Sequence, residues 1–228
     1  MHRIKLCLAI LVSLSAAVVH ALGVERAIAP DPDDKPLSLR IWYPNDSQHA
    51  DAVLGEHLPL VVISHGAGGD NGGHEDTARA LAAAGFVVAA VTHTGDNYRD
   101  QSYVHSGTHL VGRPRHVARN IDYMLTAWHA HRQLDAERIG VFGFSVGGFA
   151  ALVLAGGQPN VAPIASHCRQ VPMARECEYL SKNDVAVSSI QLPTLHDARV
   201  KASAPRKFAT IRRDSIGLVF TIHSMPLW

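Results

Sequence analysis

The sequence predicts an α/β fold built on a mostly parallel sheet with helices on both faces. Two observations carry that expectation. Short apolar runs that read as buried strands alternate with stretches of helical periodicity in the order β-α-β-α-β-α, which calls for parallel strands joined by crossover helices. In addition, two glycine-rich segments, His65-Gly66-Ala67-Gly68-Gly69 and Gly143-Phe144-Ser145-Val146-Gly147, each follow such a run directly. Both therefore sit at carboxyl ends of strands, as does the polar stretch 92–112, which lies where ligands bind in open α/β sheets. A length of 228 residues with 47% apolar composition suits one domain with a sizeable core.

The elements follow in order. His2, Arg3 and Lys5 precede an apolar run from Leu6 to Val19, and Val19-His20-Ala21 ends in the small residue expected at a signal-peptidase cut. Residues 1–21 thus read as a signal peptide, which implies a secreted or periplasmic mature chain. The run is too short for a comfortable membrane span, so no stable span is expected after cleavage. Residues 30–36 form a turn-rich lead-in. Leu37 to Tyr43 alternates and stops at Pro44, as an antiparallel edge strand would. Leu58 to Ser64 reads as a strand, about Glu75 to Ala84 as a helix ended by Gly85, and Phe86 to Val91 as a fully buried strand. Residues 92–112 read as a long polar loop. Pro114 then opens a helix whose Val117, Ile121, Met124, Leu125 and Trp128 make a core stripe. Arg138 to Phe142 is the strand before the second glycine segment, and Gly148 to Ala155 the helix after it. Residues 158–197 form an irregular insertion, and Val200 to Ala204 a short further strand.

Gly143-Phe144-Ser145-Val146-Gly147 has the G-x-S-x-G pattern of a nucleophile on a sharp strand-to-helix turn. The turn is cramped, which explains glycine at its flanks, and the helix N-terminus behind Ser145 favours a developing negative charge. His65 to Gly69 has the pattern of a loop that contributes a backbone N–H to an oxyanion hole. These readings give Ser145 as catalytic nucleophile, with the N–H groups of Ala67 and Val146 as oxyanion donors. A histidine at position 65 is expected to orient the loop rather than to act as base.

Other function classes find little support. A net charge of +1 suggests no nucleic acid or other polyanionic partner. The fifteen histidines are scattered, and neither H-E-x-x-H nor paired Cys-x-x-Cys occurs, so no metal site is expected. No G-x-G-x-x-G follows the first buried strand, so no nucleotide cofactor is expected either. Cys168 and Cys177 are the cysteines beyond the leader. They read either as a short disulfide formed after export or as two buried thiols.

Residues 37–204 resemble the secreted bacterial group of α/β-hydrolases known as predicted dienelactone hydrolases, which in turn resemble platelet-activating-factor acetylhydrolases. The resemblance rests on Trp42-Tyr43-Pro44, Ile63 to Gly69, Val91-Thr92-His93, Arg113-Pro114-Arg115, Arg138 to Gly148, His167-Cys168 with Cys177, and Asp197 to Ala202. It implies an α/β-hydrolase domain over 22–204, acting as a serine esterase on a small-molecule ester without a cofactor. The better-known dienelactone hydrolases carry cysteine where this chain has Ser145. In such hydrolases an acid and then a histidine follow the nucleophile on later loops. Residues 205–228 are an atypical tail, too short for two more strands, two helices and their loops, so the domain reads as C-terminally incomplete. Asp214 and His223 follow Ser145 in the expected order, but the nine-residue step between them leaves no room for the usual strand and helix. The resulting expectation is slow ester turnover or none.

Overall fold

The structure, a computed structural model, describes residues 21–46, 52–104, 107–160, 162–173, 195–206 and 219–221. Residues 1–20, Cys177, Asp214, His223, and much of the 158–197 and 205–228 segments lie outside the described residues.

Among the described residues, eight strands and four α-helices follow in chain order: β1 (Ala21–Ala29), β2 (Leu37–Asn45), β3 (Leu58–Ser64), α1 (Glu75–Ala83), β4 (Val87–Thr92), α2 (Gly107–Thr126), β5 (Leu134–Phe144), α3 (Val146–Leu154), β6 (Gln158–Asn160), α4 (Ala162–Gln170), β7 (Val200–Arg206) and β8 (Val219–Thr221). Six strands form one sheet in the order β1-β2-β4-β3-β5-β7, and β6 pairs with β8 separately. β4, β3, β5 and β7 are parallel, whereas β1 and β2 run antiparallel at one side. The expected mostly parallel α/β sheet is therefore present.

The strand order fixes where the helices lie. The β3-α1-β4 connection steps one way along the sheet; β4-α2-β5 and β5-α3-β7 step the other way. Right-handed crossovers then put α1 on one face and α2 and α3 on the other. Packing agrees with this. Ala78 and Ala82 of α1 bury against Trp42, Ile63, Val88 and Ala90. Val117, Ile121 and Met124 of α2, with Ala151 and Leu154 of α3, bury against Leu60, Val62, Ala89, Ile139 and Val141 on the opposite face. The connections leaving β3 and β5 thus diverge at their carboxyl ends, the arrangement beside which ligands bind in open α/β sheets.

Three sequence expectations are corrected. β2 is antiparallel but is not an edge, because β1 pairs along its whole length, from Ala21↔Asn45 to Ala29↔Leu37. The interval 92–112 is not loop throughout, since α2 begins at Gly107. Pro114 accordingly sits inside α2 rather than opening it; lacking an N–H, it removes one helical bond within the first half of that helix. Val117, Ile121, Met124 and Trp128 of the anticipated stripe are fully buried. The strand expected at Val200 pairs in parallel with β5 over Ile139 to Phe144.

The turn between β1 and β2 is tied to α2 by charge. Arg115 Nε lies 3.2 Å from Asp31 Oδ2, its Nη2 lies 3.3 Å from Asp34 Oδ2, and Arg119 Nη2 lies 3.0 Å from Asp33. The Asp31 carboxylate is fully buried. Removing one partner of such a pair leaves a charge without compensation. Arg115→Met should therefore lower unfolding stability by about 3 kcal/mol in urea titration. Adding Asp31→Asn to that variant should recover part of the loss, whereas an unchanged midpoint for Arg115→Met alone would contradict the account.

Candidate active site

The two glycine segments meet because β3 and β5 are neighbours in register. Ser64, the last residue of β3, pairs with Gly143 near the end of β5. The chain then leaves both strands at the same end of the sheet, His65 to Gly69 from one and Ser145-Val146 from the other.

Ser145 is exposed and holds φ 53°, ψ −121°, a left-handed backbone that side chains rarely adopt. Such a conformation costs on the order of 1–3 kcal/mol and persists only where its surroundings impose it. The surroundings are backbone. A Cβ on Gly147 would lie 2.1 Å from the Ser64 carbonyl oxygen, and one on Gly143 would lie 2.1 Å from the Gly147 carbonyl oxygen. The glycines thus let α3 start against the end of β3. The Ser145 carbonyl accepts from Gly148 N–H at 2.8 Å and Phe149 N–H at 3.3 Å, so Ser145 caps α3 through its backbone. Its hydroxyl makes no capping bond. Val146 is the first residue of α3, where N–H groups lack intrahelical acceptors.

Ala67 stands exposed at the tip of the other loop, followed by Gly68 at φ 69°. Beneath the tip lies a buried polar layer. Arg113 of α2, 1% exposed, reaches the His65 carbonyl with Nη1 at 2.5 Å and the Gly66 carbonyl with Nη2 at 3.2 Å. Its Nε and Nη2 also contact Asp96 Oδ2, at 2.6 and 2.5 Å. Asp96 in turn accepts from Gly68 N–H at 2.9 Å and from His109 Nε2 at 2.5 Å. Burial pushes the Asp96 carboxyl up, but the His109 hydrogen bond, the Arg113 charge and the Gly68 amide outweigh it and hold the group well below the usual carboxylate range.

Three histidines extend this layer. His65 Nε2 accepts from His93 N–H at 3.1 Å, and its Nδ1–H donates to the Gly66 carbonyl at 2.6 Å. Burial, assisted by the Arg113 charge, lowers His65 to about 4. Burial and the neighbouring Arg115 lower His116 to about 4 as well. His93, fully buried, is pushed down by burial and then by Arg113. Because arginine only donates, Arg115 Nη2 at 3.3 Å makes His116 Nε2 an acceptor. His116 Nδ1–H then donates to His93 Nδ1 at 3.2 Å, and His93 Nε2–H donates to Ser64 Oγ at 2.8 Å. All three rings are thus neutral, and their nitrogens are engaged. Ser64 lies beside a histidine but is fully buried, so substrate does not reach it.

Asp31, Asp34 and His116 bring potential metal-ligating atoms within 4.8 Å of one another. Arg115 already supplies a cation to both carboxylates, which makes the cluster an internal ion pair rather than a metal seat.

A family model described as "Dienelactone hydrolase family" matches residues 49–195. The chain belongs to the dienelactone hydrolase family. Comparison with curated protein sequences finds no match. Among solved structures, the ferulic acid esterase from Streptomyces cinnamoneus is similar at 23% identity and TM-score 0.50, over 62% of this chain and 56% of that one. An esterase from Pyrobaculum calidifontis matches at 25% identity and TM-score 0.41, over 64% and 40% of the two chains. The acylaminoacyl peptidase from Pyrococcus horikoshii matches at 16% identity and TM-score 0.46, over 60% and 21%. The dienelactone hydrolase family chain thus spans little more than half the length of the first of these structures and less of the others. The first similarity concerns the fold.

The structure brings Ser145, Val146 and Ala67 to one end of the sheet. Cys168 lies in α4, away from these loops in sequence, and its expected partner Cys177 is outside the described residues. Sequence reading did not assign the Asp96–Arg113 pair or the Ser64–His93–His116 chain. Val91-Thr92-His93 and Arg113-Pro114-Arg115 were visible only as shared text, with no spacing that joins them. Among the described residues no helix is long and apolar enough to cross a membrane.

Two outcomes follow for this dienelactone hydrolase family member. Gly147→Ala should lower stability by about 3 kcal/mol, read by urea titration, because its Cβ would meet backbone rather than a movable side chain. His65 and His116 have folded pKa values below the unfolded value, so the unfolded chain binds more protons between pH 4 and 6.5. Their stabilising contribution is complete above about pH 6.5 and is lost as pH falls toward 4. At pH 5 each should cost on the order of 2 kcal/mol relative to pH 7.5. Urea midpoints that do not fall between those pH values would refute the neutral, buried assignment.

Proposed function

We propose that this protein is a hydrolase of the esterase kind, acting on carboxylic esters through Ser145 and an acyl-enzyme. One observation supports this most directly: an exposed serine with φ 53° at the N-terminus of a helix, beside a glycine loop from the neighbouring strand. Ser145 Oγ attacks the ester carbonyl while a base takes its proton. The N–H groups of Ala67 and Val146 hold the oxyanion, the alcohol leaves, and water releases the acid. This chemistry draws on no metal or cofactor.

The base does not come from His65, His93 or His116, whose ring nitrogens are engaged in the buried layer. Elsewhere in the sequence, His223, with Asp214, follows Ser145 in the expected order, although only nine residues separate the two. The second reading, a hydrolase homologue that binds esters without turnover, applies where no base reaches Ser145. A serine without its base is a weak nucleophile, and losing a triad histidine costs on the order of a millionfold in a bacterial serine protease.

The test measures p-nitrophenyl acetate hydrolysis and fluorophosphonate labelling of the full chain, Ser145→Ala and His223→Ala. Turnover and labelling lost in Ser145→Ala support the esterase reading; loss in His223→Ala as well would identify the base. Labelling retained in Ser145→Ala would overturn the assignment of the nucleophile, and no turnover and no labelling in the unmodified chain would leave the binding reading standing.

We also propose that the chain is exported, with cleavage after Ala21 and a Cys168–Cys177 disulfide. Cleavage there keeps all but the first residue of β1. Mass spectrometry of protein exported by a Gram-negative host should show Leu22 as the first residue and resistance of both thiols to alkylation without reductant. An intact Met1, or full alkylation, would refute the respective claim.

A further inference from the structure

We propose that Arg113 and His65 are positioning residues that fix the orientation of the Gly66–Ala67 peptide and so aim the Ala67 N–H at the oxyanion. The inference deepens the esterase reading and rests on it for its catalytic consequence. Its structural part stands on the geometry alone.

The argument starts from the peptide bond. The chain has no cis peptide bonds among its described residues, so the Gly66 carbonyl and the Ala67 N–H share one plane and point in opposite directions. Whatever holds the carbonyl therefore decides where the N–H points. Three donors hold it: His65 Nδ1–H at 2.6 Å, Gly69 N–H at 3.2 Å and Arg113 Nη2 at 3.2 Å. Arg113 is 1% exposed and His65 2% exposed, so they draw that carbonyl toward the buried layer. The Ala67 N–H is turned the other way, at a residue that is itself exposed. Arg113 Nη1 holds the preceding carbonyl, of His65, at 2.5 Å, and Asp96 takes the following amide, of Gly68, at 2.9 Å. The peptides on both sides of Ala67 are thus tied down.

The charges make the arrangement stiff. Arg113 cannot turn away from the carbonyls without taking its guanidinium off the buried Asp96 carboxylate, which would keep only His109 and the Gly68 amide. His65 cannot rotate without releasing His93 N–H, which its Nε2 accepts. One guanidinium and one imidazole thus anchor the loop to α2 and to the residue that follows β4. An oxyanion donor fixed before the reaction needs no reorganisation during it, and removing one such donor costs about 100- to 1,000-fold in kcat.

The test uses the full chain with Arg113→Lys, which keeps a cation for Asp96 but cannot span both carbonyls, and with the double variant Arg113→Met/Asp96→Asn, which leaves no buried charge unpaired. The first readout is amide hydrogen exchange, independent of activity. Gly68 and Gly69 amides should be protected in the unmodified chain and lose at least tenfold protection in both variants, while Val62 and Val88 in the sheet stay protected. The second readout is ester hydrolysis, where kcat should fall at least tenfold with KM within about threefold, because the oxyanion forms only in the transition state. Unchanged protection at Gly68 and Gly69 would overturn the proposal. A rise in KM at constant kcat would also overturn it. If exchange responds but the unmodified chain shows no Ser145-dependent turnover, the esterase reading fails and the anchoring role survives.

Discussion

The structure depends on how closely α3 approaches the end of β3. A Cβ at Gly147 would lie 2.1 Å from the Ser64 carbonyl oxygen, a contact between two backbones in which neither side can yield cheaply. That approach follows from the parallel pairing of β3 with β5, which sets Ser64 opposite Gly143. It forces the turn at Ser145 into a left-handed conformation, lifts the hydroxyl out of the sheet and places the α3 N-terminus beside the loop that leaves β3. Topology sets this position, since the connections after β3 and β5 diverge to opposite faces of the sheet.

A loop rich in glycine does not hold a shape by itself. Here its shape is imposed from below by the Asp96–Arg113 pair and by imidazoles kept neutral through burial. Neutrality matters because each ring acts as donor on one nitrogen and acceptor on the other. A second proton on His65 or His116 would convert an acceptor into a donor facing a donor. The same layer explains why the Ser64–His93 pair, which has the residue types of a nucleophile and its base, is structural: Ser64 is sealed beneath the loop.

Much of this was legible from the sequence. β3 and β4 read directly because unbroken apolar runs bounded by polar residues mark strands covered on both faces. The elbow was legible because its glycines answer a steric demand. β1 was not, since Gly23, Glu25 and Arg26 interrupt its apolar pattern and it directly follows the apolar run from Leu6 to Val19. That omission made β2 look like an edge. The start of α2 was hidden by Pro114, which suggests a helix beginning and here lies well inside one. Asp96 lies in the β4-to-α2 connection and Arg113 in α2, 17 positions on, and only the course of that connection brings them together. Their pairing has no local signature. The expectation that a histidine at position 65 orients its loop fits its bonds to the Gly66 carbonyl and the His93 amide.

The central claim is that Ser145, Ala67 and Val146 converge on one reacting atom. A crystal structure of the protein after reaction with a fluorophosphonate tests it most directly. The account predicts a phosphorus bonded to Ser145 Oγ and a phosphoryl oxygen within about 3.1 Å of both the Ala67 and Val146 nitrogens. An adduct on another residue, or a phosphoryl oxygen turned to solvent with the Ala67 N–H aimed elsewhere, would contradict it.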